Sequence, residues 1–255
     1  WYYVVEKASK FSKHLVSGDG GDELFGGYTF RYSKFLSLVS PTTSPLDKIK
    51  AYLQCHQRDF VPDQSTLFGN KIKFNWNSIY ENLFPYFENN LSNLDQVFLA
   101  DYNGKLLYNF SIINSRFHNY FKINSIAPIL SRELISYSVK IKHDEKFDHI
   151  KNIGKLPFRK ILSELEISHL VSNNKQGFSV NTVNLWKSFG YEICKSLLLD
   201  GRTVSDGFIN YEWIKKYIDQ KDLDVRYINK FFGLLAFEVW YRIFVTKEMN
   251  SNSSL

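Results

Sequence analysis

The feature that most constrains this chain is a cluster of glycines and carboxylates near its N-terminal end. Five of the 13 glycines fall between positions 18 and 27, within the run Ser-Gly-Asp-Gly-Gly-Asp-Glu-Leu-Phe-Gly-Gly-Tyr that begins at Ser17. Glycines this close together mark a chain of tight turns or a backbone that a ligand approaches closely. The short apolar run from His14 to Val16 predicts a buried strand, so we expect the cluster at the carboxyl end of that strand.

The carboxylates of this run indicate chemistry. Asp19, Asp22 and Glu23 lie within five positions, and carboxylates that close repel one another unless a cation or a base neutralises them. Open α/β sheets bind ligands at the carboxyl ends of their strands, and Mg²⁺ takes one or two carboxylates together with phosphate oxygens. Backbone amides freed by the glycines can meet phosphate as well. The alternative is that Asp22 and Glu23 only cap a short helix and favour its positive end.

Beyond the cluster, helical spacing dominates. The run from Tyr2 to Lys13 indicates the end of a helix, and Val225 to Lys247 predicts a helix buried all round, because apolar residues cover nearly every face. Further helices are predicted from Leu46 to Cys55, Leu94 to Phe110, Arg132 to Ile141, Pro157 to Leu165, and from a cap at Thr182 through Leu199. Surface loops are predicted at 40–45, 62–76 and 144–155. The pattern indicates a mostly α-helical body attached to one strand-turn unit.

Composition excludes several other classes of protein. The 255 residues are 44% hydrophobic and 23% charged, which is typical of a globular chain with a real core. The net charge of +6 is scattered without a block of five or six like charges, so no nucleic-acid partner is predicted. The longest apolar stretch, Phe231 to Phe237, is about a third of a bilayer span, so no membrane association is predicted. Cys55 and Cys194 lie far apart and suit free thiols in a reducing, cytoplasmic location.

The run from Ser17 to Tyr28 resembles the second nucleotide-site motif of the asparagine synthetase family, the glutamine-hydrolysing enzymes. That motif reads Ser-Gly-(Asp/Glu)-Gly-(Gly/Ser/Ala)-Asp-Glu followed by a Phe-Gly-Gly-Tyr run. The resemblance implies an α/β fold of the adenine-nucleotide α-hydrolase-like (PP-loop ATPase) class, truncated and mostly α-helical in this chain. It also implies ATP and Mg as cofactors, because the family adenylates a side-chain carboxylate, releases pyrophosphate and lets ammonia form the amide.

The same resemblance assigns roles by position. Asp19 matches the acidic residue that acts as general base towards the attacking amine, and Asp22 matches the Mg²⁺-binding aspartate. The residues matching nucleotide contacts are Ser17, Gly18, Gly20 and Gly21. These roles agree with elementary chemistry, since one carboxylate beside pyrophosphate can hold a metal while a second accepts a proton.

A second match lies downstream at Lys175-Gln176-Gly177-Phe178, which resembles the family's Lys-x-(Gly/Gln)-Phe segment. The resemblance implies that Lys175 is catalytic and stabilises charge on the adenylate and pyrophosphate, as a compact, mobile cation can. The alternative is an exposed loop lysine. Two weaker matches support the register, at Gly154-Lys155-Leu156-Pro157 and at Phe237-Glu238-Val239-Trp240-Tyr241.

The chain departs from the family where charged residues normally line the site, in Asp-Arg-x-Ser-Met and Glu-x-Arg-x-Pro-Phe-Leu-Asp. Arg116, Pro128 and Leu130 fit this pattern, whereas Ser115 and Ser131 stand at the aspartates. Asn119, Asn124 and Ile126 stand at the methionine, the glutamate and the arginine. The loss of charge predicts a changed preference for the carboxylate, so aspartate and a related acid both stay open as the substrate.

The upstream half of the family's nucleotide site has no counterpart before Ser17, and neither the Ser-Gly-Gly-x-Asp-Ser motif nor a glutaminase domain is recognisable. The chain also begins with Trp1 and has its single methionine at Met249. We therefore expect the C-terminal portion of a longer synthetase, inactive by itself. Residues 1–30 are predicted to end the nucleotide-binding core, and 31–255 to form the helical remainder of the same domain.

The expected partners are a small-molecule carboxylate, ammonia, and a glutaminase domain in cis or in trans. Two alternatives stay open. The first is a relative that amidates or cyclises a different carboxylate, for example by closing a β-lactam ring. The second is a non-catalytic remnant or interaction module that keeps the fold without the reaction.

Overall fold

The computed structural model describes residues 1–56, 60–171 and 180–252. The chain divides into two compact units. Of the described residues, 1–55 and 80–171 form the first unit, while 56, 60–79 and 180–252 form the second. The architecture is mostly helical with a few short strands, as the sequence predicts.

Two short parallel strands of the first unit precede the glycine-rich run. β1 (His14–Val16) pairs with β2 (Asn124–Ile126), and the amide of Ser17 continues the ladder to the carbonyl of Ile126 at 2.9 Å. The predicted strand is confirmed, but its predicted burial is wrong, because Val16 is 69% and Ile126 55% exposed. Parallel strands become buried when helices cover both faces of a sheet, and the described residues leave these faces open.

The helices of the first unit are short and begin at polar caps. Ser44, Ser92 and Ser131 each accept a hydrogen bond from a backbone amide three residues further on, which stabilises three helix starts. The helices are α1 (Tyr2–Ser9), α2 (Gly21–Phe25), α3 (Thr29–Leu38), α4 (Pro45–Gln54), α5 (Trp76–Phe87, which starts in the second unit), α6 (Asn93–Ala100), α7 (Ser111–Tyr120), α8 (Arg132–Ser138), α9 (His143–Lys146) and α10 (Leu156–Glu164). Short 3₁₀ turns cover Pro128–Leu130 and Ser168–Leu170. Tyr32, Phe35, Phe87, Phe98 and Phe147 belong to the core of this unit.

A π-helical segment, Asp101–Phe110, joins α6 to α7. The helix predicted from Leu94 to Phe110 is therefore helical throughout but changes its winding at Asp101. Wider turns of this kind occur often at functional sites. The segment buries Asp101 and Leu106.

The predicted surface loop at 144–155 holds only for the exposed turn at 149–152 and is wrong for the residues on either side. β3 (Phe147–Asp148) and β4 (Ile153–Gly154) form an antiparallel pair directly after α9. The reason is Phe147, a single aromatic residue in a polar stretch, whose side chain is 1% exposed and anchors the segment to the core. Pro157 lies in the first turn of α10, as predicted.

In the second unit the long C-terminal helix dominates. α15 (Val225–Phe244) buries one face, through Ile228, Phe231, Leu234, Glu238 and Tyr241, so the predicted all-round burial is wrong. Trp240 and Phe244, on other faces, are 49% and 58% exposed. The other helices are α11 (Thr182–Leu185), which a π segment (Trp186–Gly190) joins to α12 (Tyr191–Leu198), then α13 (Arg202–Ser205) and α14 (Tyr211–Ile218), with a 3₁₀ turn at Gln64–Thr66. Asn181 caps α11, one residue before the predicted cap.

Across the described residues, every helix is too short or too polar to cross a bilayer.

Candidate active site

The glycine-rich loop leaves β1 and ends in the short helix α2. Gly20, the residue before this helix, has a φ of +87°, a conformation that L side chains rarely adopt. A Cβ on Gly20 would also collide with the side chain of Leu130. Glycine is therefore required here by both backbone conformation and space. Asp19 and Asp22 lie on either side of this turn, beyond the carboxyl end of β1.

Asp19 has a neutral partner. Its Oδ2 accepts a hydrogen bond of 2.9 Å from the side-chain amide of Asn114, on α7. His118 follows one turn later on the same helix and is 6% exposed. Burial lowers the pKa of His118, and the weaker effect of the Asp19 charge raises it, so the ring is neutral near pH 7.

Asp22 has a cationic partner. Its Oδ1 lies 2.7 Å from the Nζ of Lys155, a residue with a φ of +59° at the N-terminus of α10. The Lys155 amide donates to the carbonyl of Phe25 at 2.9 Å, which ties this backbone to the end of α2. A Cβ on Gly27 would collide with the Asp22 carboxylate and approach the Lys155 stem. The glycine at position 27 thus makes room for the ion pair.

The residues present fit a metal ion that a bound phosphate also coordinates better than a metal ion held by protein ligands alone. Within 1–56, 60–171 and 180–252, no group of three or more His, Cys, Asp or Glu residues is arranged to hold a metal. Mg²⁺ needs few protein ligands when phosphate oxygens and waters complete its shell. Asp22 suits one such position, provided that the Lys155 ammonium releases its Oδ1.

Glu23, the third carboxylate of the run, lies on α2 and is buried. It is 2% exposed and accepts a 2.5 Å hydrogen bond from the hydroxyl of Tyr28. Burial raises the pKa of Glu23 more than the Tyr28 hydrogen bond lowers it. The Nζ of Lys105 lies 3.4 Å from the centre of the Tyr28 ring. Burial, and then the charge of Arg31, lower the pKa of Lys105 to about 8.

A buried ion pair lies close to Tyr28 and Lys105. Arg31, on α3, lies 2.9 Å from Asp101, the first residue of the π segment, and the two side chains are 5% and 0% exposed. The Tyr52 hydroxyl donates to Asp101 at 2.8 Å. Buried charges are tolerated when they are paired and hydrogen-bonded in this way. The pair fixes α3 against the π segment, from which Lys105 reaches Tyr28.

Two of the remaining predicted nucleotide contacts, Ser17 and Gly18, lie on open or unsatisfied parts of the loop, whereas Gly21 is buried. The Ser17 hydroxyl is buried and has no hydrogen-bond partner among the described residues. Gly18 has open space where a Cβ would stand, whereas a Cβ on Gly21 would lie 3.3 Å from the Ile129 side chain. An orphaned hydroxyl beside open backbone suits a bound polar ligand. Lys175, the other predicted catalytic residue, lies outside the described residues.

The wall positions that differ from the family's pattern are neutral here. Ser131 caps α8, and the Ser115 hydroxyl donates to the carbonyl of Ser111 on its own helix. Ile126 ends β2 with 55% of its surface exposed, beside the amide of Ser17. Leu130 packs where a Gly20 side chain would stand.

Comparison with known proteins places the chain in a family. The family model described as asparagine synthase matches residues 1–242, and the chain belongs to the asparagine synthase family. It is 23% identical over 281 aligned positions to "Asparagine synthetase [glutamine-hydrolyzing] 1" of Bacillus subtilis (strain 168). That alignment covers 96% of this chain and 43% of the relative, so the chain spans less than half of the relative's length. No solved structure matches the chain.

Sequence reasoning identified the loop but missed three of its neighbours. Lys155 appeared only within a weak family match, and nothing marked it as the partner of Asp22. Asn114 is 95 positions from Asp19, and Lys105 is an ordinary lysine in a helical pattern. Their roles depend on how α7, α10 and the π segment pack, which local spacing does not encode.

Proposed function

We propose that the full-length protein is an ATP-dependent amide-forming ligase, and that this chain supplies the C-terminal part of its synthetase domain with the PP-loop ATPase class of fold. One observation carries the proposal. A single turn after a parallel strand holds two carboxylates with different partners, because Asp19 is bound to the neutral Asn114 and Asp22 to the cationic Lys155. Different partners give two nearby carboxylates different chemical roles.

The two carboxylates suit the two halves of an amide synthesis. In the first half, a substrate carboxylate oxygen attacks the α-phosphorus of ATP and pyrophosphate leaves. In the second, ammonia attacks the acyl carbon, the tetrahedral adduct loses a proton to Asp19, and the C–O bond to AMP breaks. A Mg²⁺ ion bound with Asp22 would neutralise phosphate charge. Lys155, once released from Asp22, and Lys175 are cations suited to the departing pyrophosphate.

The wider assignments extend this proposal. The substrate is aspartate or a related carboxylate, and ammonia comes from a glutaminase domain in cis or in trans. The reaction takes place in the cytoplasm, the usual compartment for two free thiols, and Cys55 and Cys194 are both free and buried. Residues 1–30 carry the end of the nucleotide core, and 31–255 carry the helical remainder of the domain.

The test uses the full-length gene product with ATP, Mg²⁺, ammonia and candidate carboxylates. Carboxylate-dependent pyrophosphate release is expected, and Asp22→Ala should abolish it, since the substitution removes the metal ligand and leaves Lys155 unpaired. Asp222→Ala, which changes an exposed aspartate of the second unit, is the matched control and should retain full activity. Full activity of Asp22→Ala would refute the proposal.

A second candidate is amidation or cyclisation of an acid other than aspartate. It is favoured by the exposed, neutral Ile126 at the end of β2, where the family's pattern has an arginine. A screen of carboxylates that follows pyrophosphate release decides between them. Pyrophosphate release with acids that lack a second charge would favour this candidate. If no carboxylate, aspartate included, supports pyrophosphate release, a non-catalytic remnant is favoured.

A further inference from the structure

The loop that carries Asp19 also contacts α7 through one specific side chain. Asn114 Nδ2 donates to Oδ2 of Asp19 at 2.9 Å, and among the described residues no donor to Oδ1 is present. We propose that Asn114 is a positioning residue that orients Asp19 for the second half-reaction only, a role that rests on the proposed ligase function.

Asn114 is held by a rigid element. It lies in the first turns of α7, which continues directly from the π segment, and α7 packs against α1 and against β2. β2 in turn pairs with β1, the strand that leads to Asp19. Helix and loop are therefore fixed to the same two strands, so the amide and the carboxylate meet without a mobile linker between them.

The partner is an amide and not a cation. A lysine or arginine at this distance would strongly favour the ionised carboxylate and weaken it as a base. An amide donor orients one oxygen with a smaller effect on basicity. The nearby His118 is buried, its Nε2 has no hydrogen-bond partner among the described residues, and its ring is neutral near pH 7. The described α7 side chain that contacts Asp19 is therefore neutral, and it orients the carboxylate through one oxygen.

The step that depends on this geometry is proton removal. When ammonia adds to the acyl carbon, a C–N bond forms and the nitrogen becomes positively charged. Oδ1 of Asp19 takes one N–H proton, the carbonyl re-forms, and the electron pair of the C–O bond leaves with AMP. With Oδ2 fixed by Asn114, Oδ1 presents its lone pairs in one direction. Adenylation needs no proton transfer to Asp19.

The test separates the two half-reactions in the full-length gene product. Carboxylate-dependent exchange of labelled pyrophosphate into ATP reports adenylation, and amide formation from ammonia reports both halves. Asn114→Leu, which keeps the size of the side chain and removes the donor, should slow amide formation about ten- to hundredfold while exchange stays within about twofold of wild type. Asn114→Asp should slow amide formation at least as much, because it places a second carboxylate against Asp19.

Asn109→Leu is the matched control, an exposed asparagine in the adjoining π segment, and it should leave both rates unchanged. Equal loss of exchange and amide formation in Asn114→Leu would indicate a structural role and overturn the proposal, as would unchanged amide formation. Absence of exchange in the wild-type protein would instead refute the ligase function itself, and this inference with it.

Discussion

Two buried glutamates, Glu23 in the first unit and Glu238 in the second, have pKa values shifted in opposite directions. Glu238, on α15, is 0% exposed and accepts hydrogen bonds from the Arg202 amide, the Thr203 amide and hydroxyl, and Arg242 at 2.5–2.8 Å. Burial raises the pKa of Glu238, but these donors together outweigh it and the net pKa is lowered. At Glu23 burial prevails, and the pKa is raised.

The comparison distinguishes structural carboxylates from those that we propose to be functional. Glu238 holds the start of α13 against α15, and both of its carboxylate oxygens accept hydrogen bonds there. Asp63, in the same unit, accepts hydrogen bonds from the hydroxyls of Tyr217 and Tyr227 in a similar way. In the first unit Asp101 is buried and paired with Arg31 and Tyr52, whereas Asp19 and Asp22, in the glycine-rich run, are partly exposed. Asp101 is thus a structural carboxylate, whereas Asp19 and Asp22 are the carboxylates to which we assign the proposed chemistry.

The largest expected effect comes from breaking the buried ion pair of Arg31 and Asp101 in the first unit. Arg31→Met leaves Asp101 buried without its cation and should cost about 3–5 kcal/mol of unfolding free energy, measured by urea denaturation. Asp101→Leu should cost a similar amount. Because the two side chains compensate each other, the double variant should lose clearly less than the sum of the single losses. Additive losses would contradict the view that Arg31 and Asp101 act as one unit.

The second unit should respond in the same way at Glu238. Glu238→Gln keeps the shape but places an amide donor among donors, and should cost about 2–4 kcal/mol in the same measurement. Glu192→Gln, an exposed glutamate of α12, is the matched control, with an expected change within about 0.5 kcal/mol. A small loss at Glu238 would remove the basis for calling it structural.

The partners of the loop residues show how much of the structure can be predicted from the sequence. The apolar run from His14 to Val16 predicts the strand, and the glycine cluster predicts the turn after it, because the backbone conformation of Gly20 is a local requirement. The start of α10 at Pro157 follows from a local rule as well. The partners Asn114, Lys155 and Arg31 arrive from distant segments, and only the packing of α3, α7 and α10 selects them. The hairpin at Phe147 was missed for the same reason, since one buried aromatic residue outweighs a polar stretch.

A pair of glycine substitutions sharpens the contrast between a crowded site and an open helix face. Gly27→Ala forces a methyl group into the Asp22 carboxylate and the Lys155 stem, so we expect a loss of about 1–3 kcal/mol and of pyrophosphate release. Gly233→Ala, in α15, meets no atom within 4 Å and should stabilise the second unit by about 0.5–1 kcal/mol through helix propensity. Thermal unfolding and activity of both variants test this, and a stable, active Gly27→Ala would contradict the crowding.

The smallest expected effect is a change of slope with pH at Lys105. Its pKa is about 8 in the folded protein, against an ordinary value of 10.5, because burial disfavours the ammonium. Between these values the unfolded chain binds a proton that the folded chain has lost, so this residue makes stability rise with pH from about 8 to 10.5. Lys105→Met should remove that rise and leave urea midpoints at pH 8, 9 and 10 lying on a flatter line than those of wild type. Parallel lines for the two proteins would show that Lys105 keeps its ordinary pKa and that its ammonium is more open to water than its contact with the Tyr28 ring implies.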